Sequence, residues 1–426
     1  MEGVLGTGME VTGQESSQST FVRLLGLLSG HHLQKILGGL GVDKYVKKLK
    51  TIALIQMIVL AQLKQLGSLR DVTNILNNAG IKQEIGIESI SASQVSRRLR
   101  GLPVEVAKVM LNAAKLEAAG KIGMNAVTQD LKNLHLIDSS TITLCIKQYG
   151  WAKFRSTKSG VKVHLGLRFV DGNALPDRVV ITPAKVSDKS QLDILVVEDK
   201  DVLNVRDRGY NDYKRYDQEC AAGIRFATRL KENAVIDIVE DRPIEPGSSV
   251  KRDAKIYLGA PGKNRMTNPL RMIETEDSEG RKILILTNDF HLSARELSDI
   301  YRLRWQIELF FKWIKQHLYV KHFYGRTEEA VANQLFIALV AYCLLLLIKL
   351  RTGFTGPLLA VLRLVTACIC EPFESFVENL LRKPQKSSRG RRKTVDHDAI
   401  YQELLRQVIA NEADYLNDLT YDPVVL

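Results

Sequence analysis

The stretch "LHLIDSSTITL", Leu134–Leu144, marks the point where the sequence changes from a helical repeat to a strand repeat. Leu134 and Leu136 recur at every second residue, which is the spacing of side chains on one face of a β-strand. Asp138 comes near the end of this predicted strand. Aspartate is a poor strand former, so an acid at this place indicates a functional site more than packing.

The residues after this strand predict a mixed sheet with two helices. The strand period continues in "VKVHLGLRFV", "DRVVITPAKVSD", "VLNVRDRGY" and "IRFATRL". Short helices are predicted at "QLDILVVE" and at "NDYKRYDQECAAG", where Gly223 ends the second one. Asp207 stands at the carboxyl end of "VLNVRD" as a second site candidate, and a simple turn aspartate before Gly209 is the alternative. This order of strands and helices predicts an α/β fold.

Residues 21–125 predict a helical N-terminal domain, because apolar residues recur at intervals near 3.6 positions. Within it, Ser93 is a candidate N-cap for a short helix that carries Arg97, Arg98 and Arg100 and that Pro103 helps to end. A basic helix in a helical domain is typical of DNA docking. An ordinary solvated helix face explains the same pattern equally well.

The second half of the chain predicts an insertion followed by a return to helices. Residues 232–282 are rich in turn residues with short strand-like pieces and indicate a β-rich insertion, after which "RKILILTND" is a strand. Ser293 and Glu296 form a capping-box pattern that opens a long helix. The segment 381–394 holds seven Lys and Arg and is predicted to be a basic loop that contacts phosphates, with a merely solvated loop as the alternative. The predicted ranges are a flexible tail 1–20, a helical DNA-binding domain 21–125, a catalytic core 126–231, the insertion 232–282, a second core part 283–350 and a helical C-terminal region 351–426.

The long helix carries a polar stripe. In "IYRLRWQIELFFKWIKQHL", Ile300–Leu318, a helical rotation of about 100° per residue brings five polar side chains into an arc of about 80°. The stripe consists of Tyr301, Arg304, Glu308, Lys312 and Lys315. A salt-bridged solvated face is the plain interpretation. Two further acids, Asp138 and Asp207, stand at candidate site positions on the predicted sheet, and this favours a functional site over a solvated face.

Three carboxylates, those of Asp138, Asp207 and Glu308, would repel one another at a common site unless a cation neutralised them. Oxygen ligands with open positions suit Mg²⁺ or Mn²⁺. Two such ions can activate the attacking oxygen and stabilise the leaving oxygen of a phosphodiester. The sequence therefore predicts a two-metal centre, with the bases of the stripe on the phosphates.

Composition agrees with a polyanionic partner. The 426 residues carry a net charge of +12 and a pI near 9.3, which suits nucleic acid first and an anionic membrane surface second. The five cysteines show no zinc-type pair and fit a reducing cytoplasm. The start of the chain has no signal-peptide pattern, and the apolar run 335–348 is shorter than the roughly 20 residues that span a bilayer, so we expect a buried core helix and no membrane association.

These motifs resemble those of insertion-sequence DDE transposases of the YREK type, the insertion-sequence-four family. The resemblance rests on Tyr301, Arg304, Glu308 and Lys315 at the YREK spacing, together with "LIDSST", "DRGY" and "ATRLK", and it extends over about residues 20–350. It implies an RNase H-like catalytic core in which Asp138, Asp207 and Glu308 are catalytic and metal-binding. It also implies a β-rich insertion between the second acid and the glutamate.

The resemblance further implies the reaction and its partners. Such an enzyme binds the terminal inverted repeats of its own element as a homodimer, hydrolyses the DNA ends with divalent metal and joins the 3′-hydroxyls to target DNA, in the bacterial cytoplasm at the nucleoid. Tyr301, Arg304 and Lys315 would contact the transposon end, and Lys312, Arg229 and Lys231 are further DNA-binding candidates. Ser187 and Asp188 stand where relatives often have His-Asp, and neither is predicted to be catalytic.

Two other functions fit the same residues. A decayed transposase that acts as a DNA-binding repressor would keep the basic surfaces without cutting DNA. An RNase H-like nuclease would cut DNA without strand transfer. Metal-dependent cleavage separates the repressor from an enzyme, and joined products in a target plasmid separate the nuclease from a transposase.

Overall fold

A computed structural model describes residues 18–125, 134–170, 172–231, 233–245, 248–276 and 280–382, together with residues 402 and 406. The described residues form two compact units. One is drawn from Met1–Lys121, Ile314–Gly325 and Glu329–Val425, and the other from Ile122–Trp313 and Arg326–Glu328. Most of the predicted tail 1–20 and of the predicted basic loop 381–394 lies outside the described residues.

The first unit is built from helices. Its N-terminal helices are α1 (Thr20–Leu25), α2 (His31–Gly39), α3 (Thr51–Leu63), α4 (Leu69–Asn74), α5 (Ala79–Ile85), α6 (Ala92–Gly101) and α7 (Val104–Asn125), the last of which runs into the second unit. Helix α3 is buried on nearly all sides, as expected for a helix that is apolar all round. The predicted cap of α6 was wrong by two residues. Ser91, not Ser93, is the N-cap, because its hydroxyl accepts the Gln94 N–H while the Gln94 side chain accepts the Ser91 N–H.

The C-terminal helices follow the second unit in the chain. They are α12 (Glu328–Thr352), α13 (Leu358–Ala367) and α14 (Phe373–Leu381). Among the described segments, α12 alone is long and apolar enough to cross a membrane, and its most apolar window is completely buried in the protein. Burial of this kind is typical of a core helix, as the sequence predicted for residues 335–348.

The second unit is organised around one ten-stranded mixed sheet. Its strands are β1 (Leu134–Leu144), β2 (Lys153–Arg155), β3 (Lys158–Val170), β4 (Asn173–Pro183), β5 (Leu203–Arg206), β6 (Arg225–Arg229), β7 (Ile236–Asp241), β8 (Val250–Leu258), β9 (Leu270–Glu276) and β10 (Lys282–Thr287). Helix α8 (Leu192–Leu195) precedes β5 and helix α9 (Tyr213–Ala222) precedes β6. Strands β1 and β3 pair antiparallel, as do β3 and β4, whereas β1, β5 and β6 are parallel. The predicted mixed α/β sheet is confirmed.

The sheet register brings two of the predicted acids together. The parallel pairing of β1 and β5 ends at Ile137 opposite Arg206. Asp207 is the residue directly after β5, and Asp138 is the next residue of β1 beyond this pairing. The prediction that Asp138 comes near the end of its strand was wrong, because β1 continues to Leu144 in pairing with β3. Since neighbouring strands lie about 4.8 Å apart, the two acids nevertheless lie side by side where β5 ends.

The strands of the predicted insertion continue the central sheet. Strand β10 pairs antiparallel with β6, and β9, β8 and β7 follow in that order to the sheet edge. Helix α9 covers both parts, since Tyr216 and Phe226 share one buried cluster with Ile256 and Leu286. The insertion therefore shares a hydrophobic core with the strands around Asp207.

The predicted long helix is interrupted at Leu303 and Arg304. It consists of α10 (Ala294–Arg302) and α11 (Trp305–His317), and the Ser293–Glu296 capping box at its start is confirmed. At the interruption the N–H groups of Arg304 and Ile307 donate to the carbonyls three residues earlier. This tighter winding changes the rotation per residue, so the continuous 80° arc predicted for the stripe does not hold across Arg304.

Candidate functional site

Three acids lie around the carboxyl end of β5, on β1, after β5 and on the facing helix. Asp138 and Asp207 follow adjacent strand positions, and Glu308 lies in the first turn of α11. The side chains of Asp138 and Glu308 keep 20% and 27% of their surface exposed. The charge of each of these two acids is disfavoured by that of Asp207. The structure thus brings the three predicted carboxylates into one electrostatic cluster.

Arg304 lies between two of the acids. Its Nη1 is 2.6 Å from Oε1 of Glu308 and 3.9 Å from Oδ2 of Asp138. The guanidinium is nearly buried, with 10% of the side chain exposed, so its charge is weakly screened by water. Arg304 therefore supplies the positive charge that the acid cluster requires in this structure.

The carboxyl groups are shifted toward their protonated forms. Burial raises the pKa of Asp138 to about 7, with Glu308 and Asp207 adding to the rise and Arg304 opposing it. Burial also raises the pKa of Glu308, again against the effect of Arg304. The surrounding acids raise the pKa of Arg304, although its burial alone would lower it. The cluster carries unfavourable negative charge that one guanidinium only partly offsets.

Other members of the predicted stripe surround this cluster. Tyr301 is buried, which raises its pKa to about 12, and it lies within electrostatic range of Arg304, Asp207 and Arg229. Burial lowers the pKa of Lys312 to about 8. Its ammonium has no hydrogen-bond partner within the described part of the chain. A buried, unpartnered cation one turn from Glu308 can receive an anionic group.

The remaining DNA-binding candidates lie elsewhere. Lys315 is two turns after Glu308 on α11, beyond the part of the helix that belongs to this unit, and Lys231 is exposed after β6. In the first unit Arg97 is exposed on α6. Arg98 is held inside that unit, because its guanidinium donates to Asp43 and to the backbone oxygen of Leu49. The structure gives Arg98 a stabilising role, and its binding to DNA stays a prediction.

Sequence reasoning missed a second polar cluster next to Asp138. Oδ1 of Asp188 accepts from the Ser139 hydroxyl at 2.7 Å and lies 3.1 Å from the Lys162 ammonium and 3.3 Å from Nδ1 of His164. Nε2 of His164 in turn shares a hydrogen bond with Thr182. Asp188 comes five residues after the end of β4 and begins a short 3-10 turn, so no local pattern pointed to this cluster. Its contacts restrain Ser139, the chain neighbour of Asp138.

The strand beneath Asp207 is anchored by a buried ion pair. Arg206 is fully buried, and its two Nη atoms donate to the two carboxylate oxygens of Glu219 on α9 at 2.8 and 2.5 Å. The guanidinium also lies 5.3 Å from the ring centre of Tyr216 and 5.0 Å from that of Phe226. Such bidentate pairing fixes direction as well as distance. Arg206 therefore holds the end of β5 from which Asp207 projects.

The donor set suits a hard divalent cation. Carboxylate oxygens are the ligands that Mg²⁺ and Mn²⁺ prefer. Burial raises the pKa of Asp138 and of Glu308, and Asp207 adds to both rises, so a cation among these acids would favour their charged forms. Within the described ranges, however, no group of three or more His, Cys, Asp or Glu side chains is spaced to hold a metal ion. The three carboxylates are therefore suitable donors for such a cation. In this structure one of them, Glu308, is paired with Arg304 instead.

Two regions of the chain match known families. Residues 130–344, which include all three acids, match the family described as the transposase DDE domain. Residues 16–88 match a domain of unknown function, so this match leaves the role predicted for residues 21–125 open.

Individual relatives with similar sequences are also named as transposases. A putative transposase, y4zB, of Sinorhizobium fredii is 34% identical over 59% of this chain and 71% of its own length. The probable transposase for insertion sequence element IS5377 of Geobacillus stearothermophilus is 30% identical over 75% of this chain and 82% of its own. Among solved structures, a piggyBac transposase synaptic complex with hairpin DNA aligns with a TM-score of 0.44 at 9% identity, over 96% of this chain and 88% of that one.

Proposed function

Because the chain belongs to the transposase DDE-domain family of insertion sequences, we propose that it cuts the ends of its own element and joins their 3′-hydroxyls to target DNA in a cut-and-paste reaction. The observation that supports this most directly is the register of β1 and β5. It brings Asp138 of β1 beside Asp207 at the carboxyl end of β5, where Arg304 pairs with Glu308 and approaches Asp138.

The acids are proposed to hold the metal. Asp138, Asp207 and Glu308 would bind two Mg²⁺ or Mn²⁺ ions, which supply activation of the attacking oxygen and stabilisation of the leaving oxygen when bound. The RNase H-like core that the family implies matches the antiparallel β4–β3–β1 ladder followed by the parallel β5 and β6. The pKa of about 7 for Asp138 keeps this carboxyl partly protonated at neutral pH until positive charge is supplied.

The bases of the site are proposed to hold the DNA backbone. Tyr301, Arg304 and Lys315 would contact the transposon end, as the YREK spacing implies. The buried ammonium of Lys312 is suited to a phosphate oxygen, because it has no acceptor in the described part of the protein. Further phosphate contacts are proposed for the half-buried Arg229, for Lys231 and, in the other unit, for Arg97 and Arg98 of helix α6.

The proposed partners follow from the reaction. The protein would bind the terminal inverted repeats and the target DNA as a homodimer, in the bacterial cytoplasm at the nucleoid. The net charge of +12 supports such a polyanionic partner, since released counterions favour the binding of basic proteins to DNA.

A plasmid assay tests the proposal. Purified full-length protein is incubated with Mg²⁺ and a supercoiled plasmid that carries the element's ends, and cleavage at those ends and joining to a second plasmid are measured. Wild type should produce both products. Asp138→Asn should lose at least a thousandfold in cleavage rate while it still binds the ends, because loss of a metal ligand removes transition-state stabilisation.

A matched control removes an acid outside the site. Glu240→Gln, on the exposed edge strand β7, should cleave as wild type does. Cleavage without joined products would indicate a nuclease. End binding by wild type without cleavage under Mg²⁺ or Mn²⁺ would contradict the enzymatic proposal and favour a repressor.

A further inference from the structure

An exposed basic surface lies at the sheet edge away from the insertion, on the β2–β3 hairpin and the segment that leads into it. From Ser139 to Val170 the sequence contains no Asp or Glu. Four cations of this stretch are exposed and have no ion pair with any acid that the structure describes. We call this surface the basic hairpin, and it consists of Lys147, Lys153, Arg155 and Lys158.

The hairpin places like charges opposite each other. Arg155 pairs directly with Lys158 across the two-residue turn, and Lys153 lies opposite Ser159. Directly opposed like charges destabilise a strand pair. A neighbouring acid would relieve this repulsion in an ordinary surface hairpin, and the hairpin and its flanks hold none. An anion bound from outside the chain would relieve this repulsion.

The base of the hairpin is fixed to the unit that carries the acids. The indole Nε1 of Trp151 donates to the Arg326 carbonyl oxygen at 2.7 Å. Arg326 is itself exposed, so it adds a cation beside the hairpin. A fixed base gives the four cations a defined position relative to the sheet.

The pairing of β1 with β3 gives the distance to the active site. Asp138 lies opposite Leu165 and Leu144 opposite Ser159, so the hairpin begins six residues along β1 from the catalytic acid. At roughly 3.3 Å per residue this is about 20 Å. A duplex cut or joined at Asp138 reaches that far within less than one helical turn of about 34 Å.

The side chains on this surface favour a partner of a particular kind. The hairpin offers Lys and Arg side chains together with the turn residues Ser156 and Thr157. Side chains of these types bind phosphate oxygens in protein–DNA complexes, and such contacts position the DNA without reading its sequence. Of the DNA molecules in the proposed reaction, the target is the one that need not carry the element's end sequence. We propose that the basic hairpin binds the backbone of target DNA, an inference that rests on the proposed transposase function.

Two double variants test this inference in the full-length protein. Arg155→Gln/Lys158→Gln removes the opposed pair, and Lys200→Gln/Lys263→Gln removes two exposed cations elsewhere on the same unit. Binding of a random-sequence duplex is measured against salt. The hairpin variant should lose about tenfold or more in affinity for the duplex. The slope of log affinity against log salt concentration should fall in magnitude by about 2, because the loss of two phosphate contacts reduces the number of counterions released on binding. The control variant should keep both values.

A charge reversal separates DNA binding from hairpin integrity. Arg155→Glu places an acid opposite Lys158, so it should leave the thermal midpoint unchanged or raise it while it weakens duplex binding further. With pre-cut element ends, joining to target should fall at least tenfold in both hairpin variants. In a separate assay on a plasmid with uncut ends, end cleavage should stay within twofold of the wild type.

Different results would contradict the hairpin inference and the proposed transposase function. Equal losses in the hairpin and control variants, or loss of end cleavage instead of target joining, would overturn the inference. Failure of the wild type to cleave element ends contradicts the proposed function instead, and the salt-dependent duplex binding still reports on the hairpin. Retained duplex binding with lost binding to vesicles of anionic phospholipid would assign the surface to a membrane and refute the DNA assignment.

Discussion

Nη1 of Arg304, the last residue of the interruption between α10 and α11, lies 2.6 Å from Oε1 of Glu308 in the first turn of α11. The same nitrogen is 3.9 Å from Asp138. One guanidinium therefore offsets the charge of an acid cluster whose third member is Asp207. This relationship predicts that stability and metal binding at the site oppose each other.

Arg304→Gln should destabilise the protein at pH 8 by about 1–3 kcal/mol, because it leaves partly buried carboxylates without their counter-charge. Glu308→Gln should change stability by less than about 1 kcal/mol, since the lost pair is offset by weaker repulsion among the acids. In the Glu308→Gln background, Arg304→Gln should cost less than in wild type. Urea denaturation of the four proteins measures this coupling.

Arg302→Gln is the control for that cycle. Its guanidinium is exposed and pairs only weakly with Asp299, so the change should stay within about 0.5 kcal/mol. Equal costs of Arg304→Gln in both backgrounds would contradict the assigned role of the Arg304–Glu308 pair.

Asp138→Asn should stabilise the metal-free protein at alkaline pH. Burial raises the pKa of Asp138 to about 7 from an ordinary value of 3.8, so the folded protein keeps a proton there that the unfolded chain releases. The stability this provides below pH 4 is lost as pH rises through 7. In EDTA at pH 8 the variant should therefore exceed wild type by about 1–3 kcal/mol, and the difference should vanish near pH 4. A variant less stable than wild type at pH 8 would refute this.

Divalent metal should make the wild type more stable than Asp138→Asn. Mg²⁺ or Mn²⁺ binds the folded wild type and not the unfolded chain, so at a hundredfold excess over its dissociation constant it should add about 2.7 kcal/mol. Asp138→Asn should show a much smaller shift of its thermal midpoint, because one ligand is missing. Mg²⁺ and Mn²⁺ titrations followed by thermal melting measure the shift, and equal shifts in both proteins would exclude Asp138 as a ligand.

Asp188→Asn should destabilise the protein by about 1–3 kcal/mol, since Lys162 and the buried His164 lose an anionic partner. Although burial raises the pKa of Asp188, hydrogen bonds from His164, Ser139 and Lys162 bring it well below its usual range. Its contribution is therefore present above pH 4 and lost as pH falls further. Cleavage should fall about tenfold through the displaced Ser139.

Ser187→Ala is the matched control for Asp188, because Ser187 is its exposed chain neighbour. It should leave stability and cleavage unchanged. Urea denaturation at pH 8 and at pH 3.5 compares the two variants, and an unchanged pH dependence in Asp188→Asn would show that this acid does not anchor the cluster.

Local patterns determined much of the site. The strand period identified β1 to its residue bounds, because alternation acts within a few residues. Poor strand propensity singled out Asp138 and Asp207, although only Asp207 follows a strand end, since Asp138 lies within β1. The capping box at Ser293 and Glu296 was visible for the same reason. The charge and the acid-free stretch of the basic hairpin are also properties of the sequence alone.

Tertiary structure decided what depends on distant partners. The interruption at Leu303 and Arg304 contains no Gly or Pro that would have predicted it, and the cluster at Asp188 requires strands that are far apart in the chain. Sequence determined which residues carry charge and which segments form strands, since these follow from side-chain chemistry and short-range sterics. The Arg304–Glu308 pair is an i,i+4 contact, which a local helical pattern already suggests. Only the tertiary structure decided that Asp138 and Asp207 emerge side by side and that Arg304 also approaches Asp138, because sheet pairing and burial join residues that no local pattern relates.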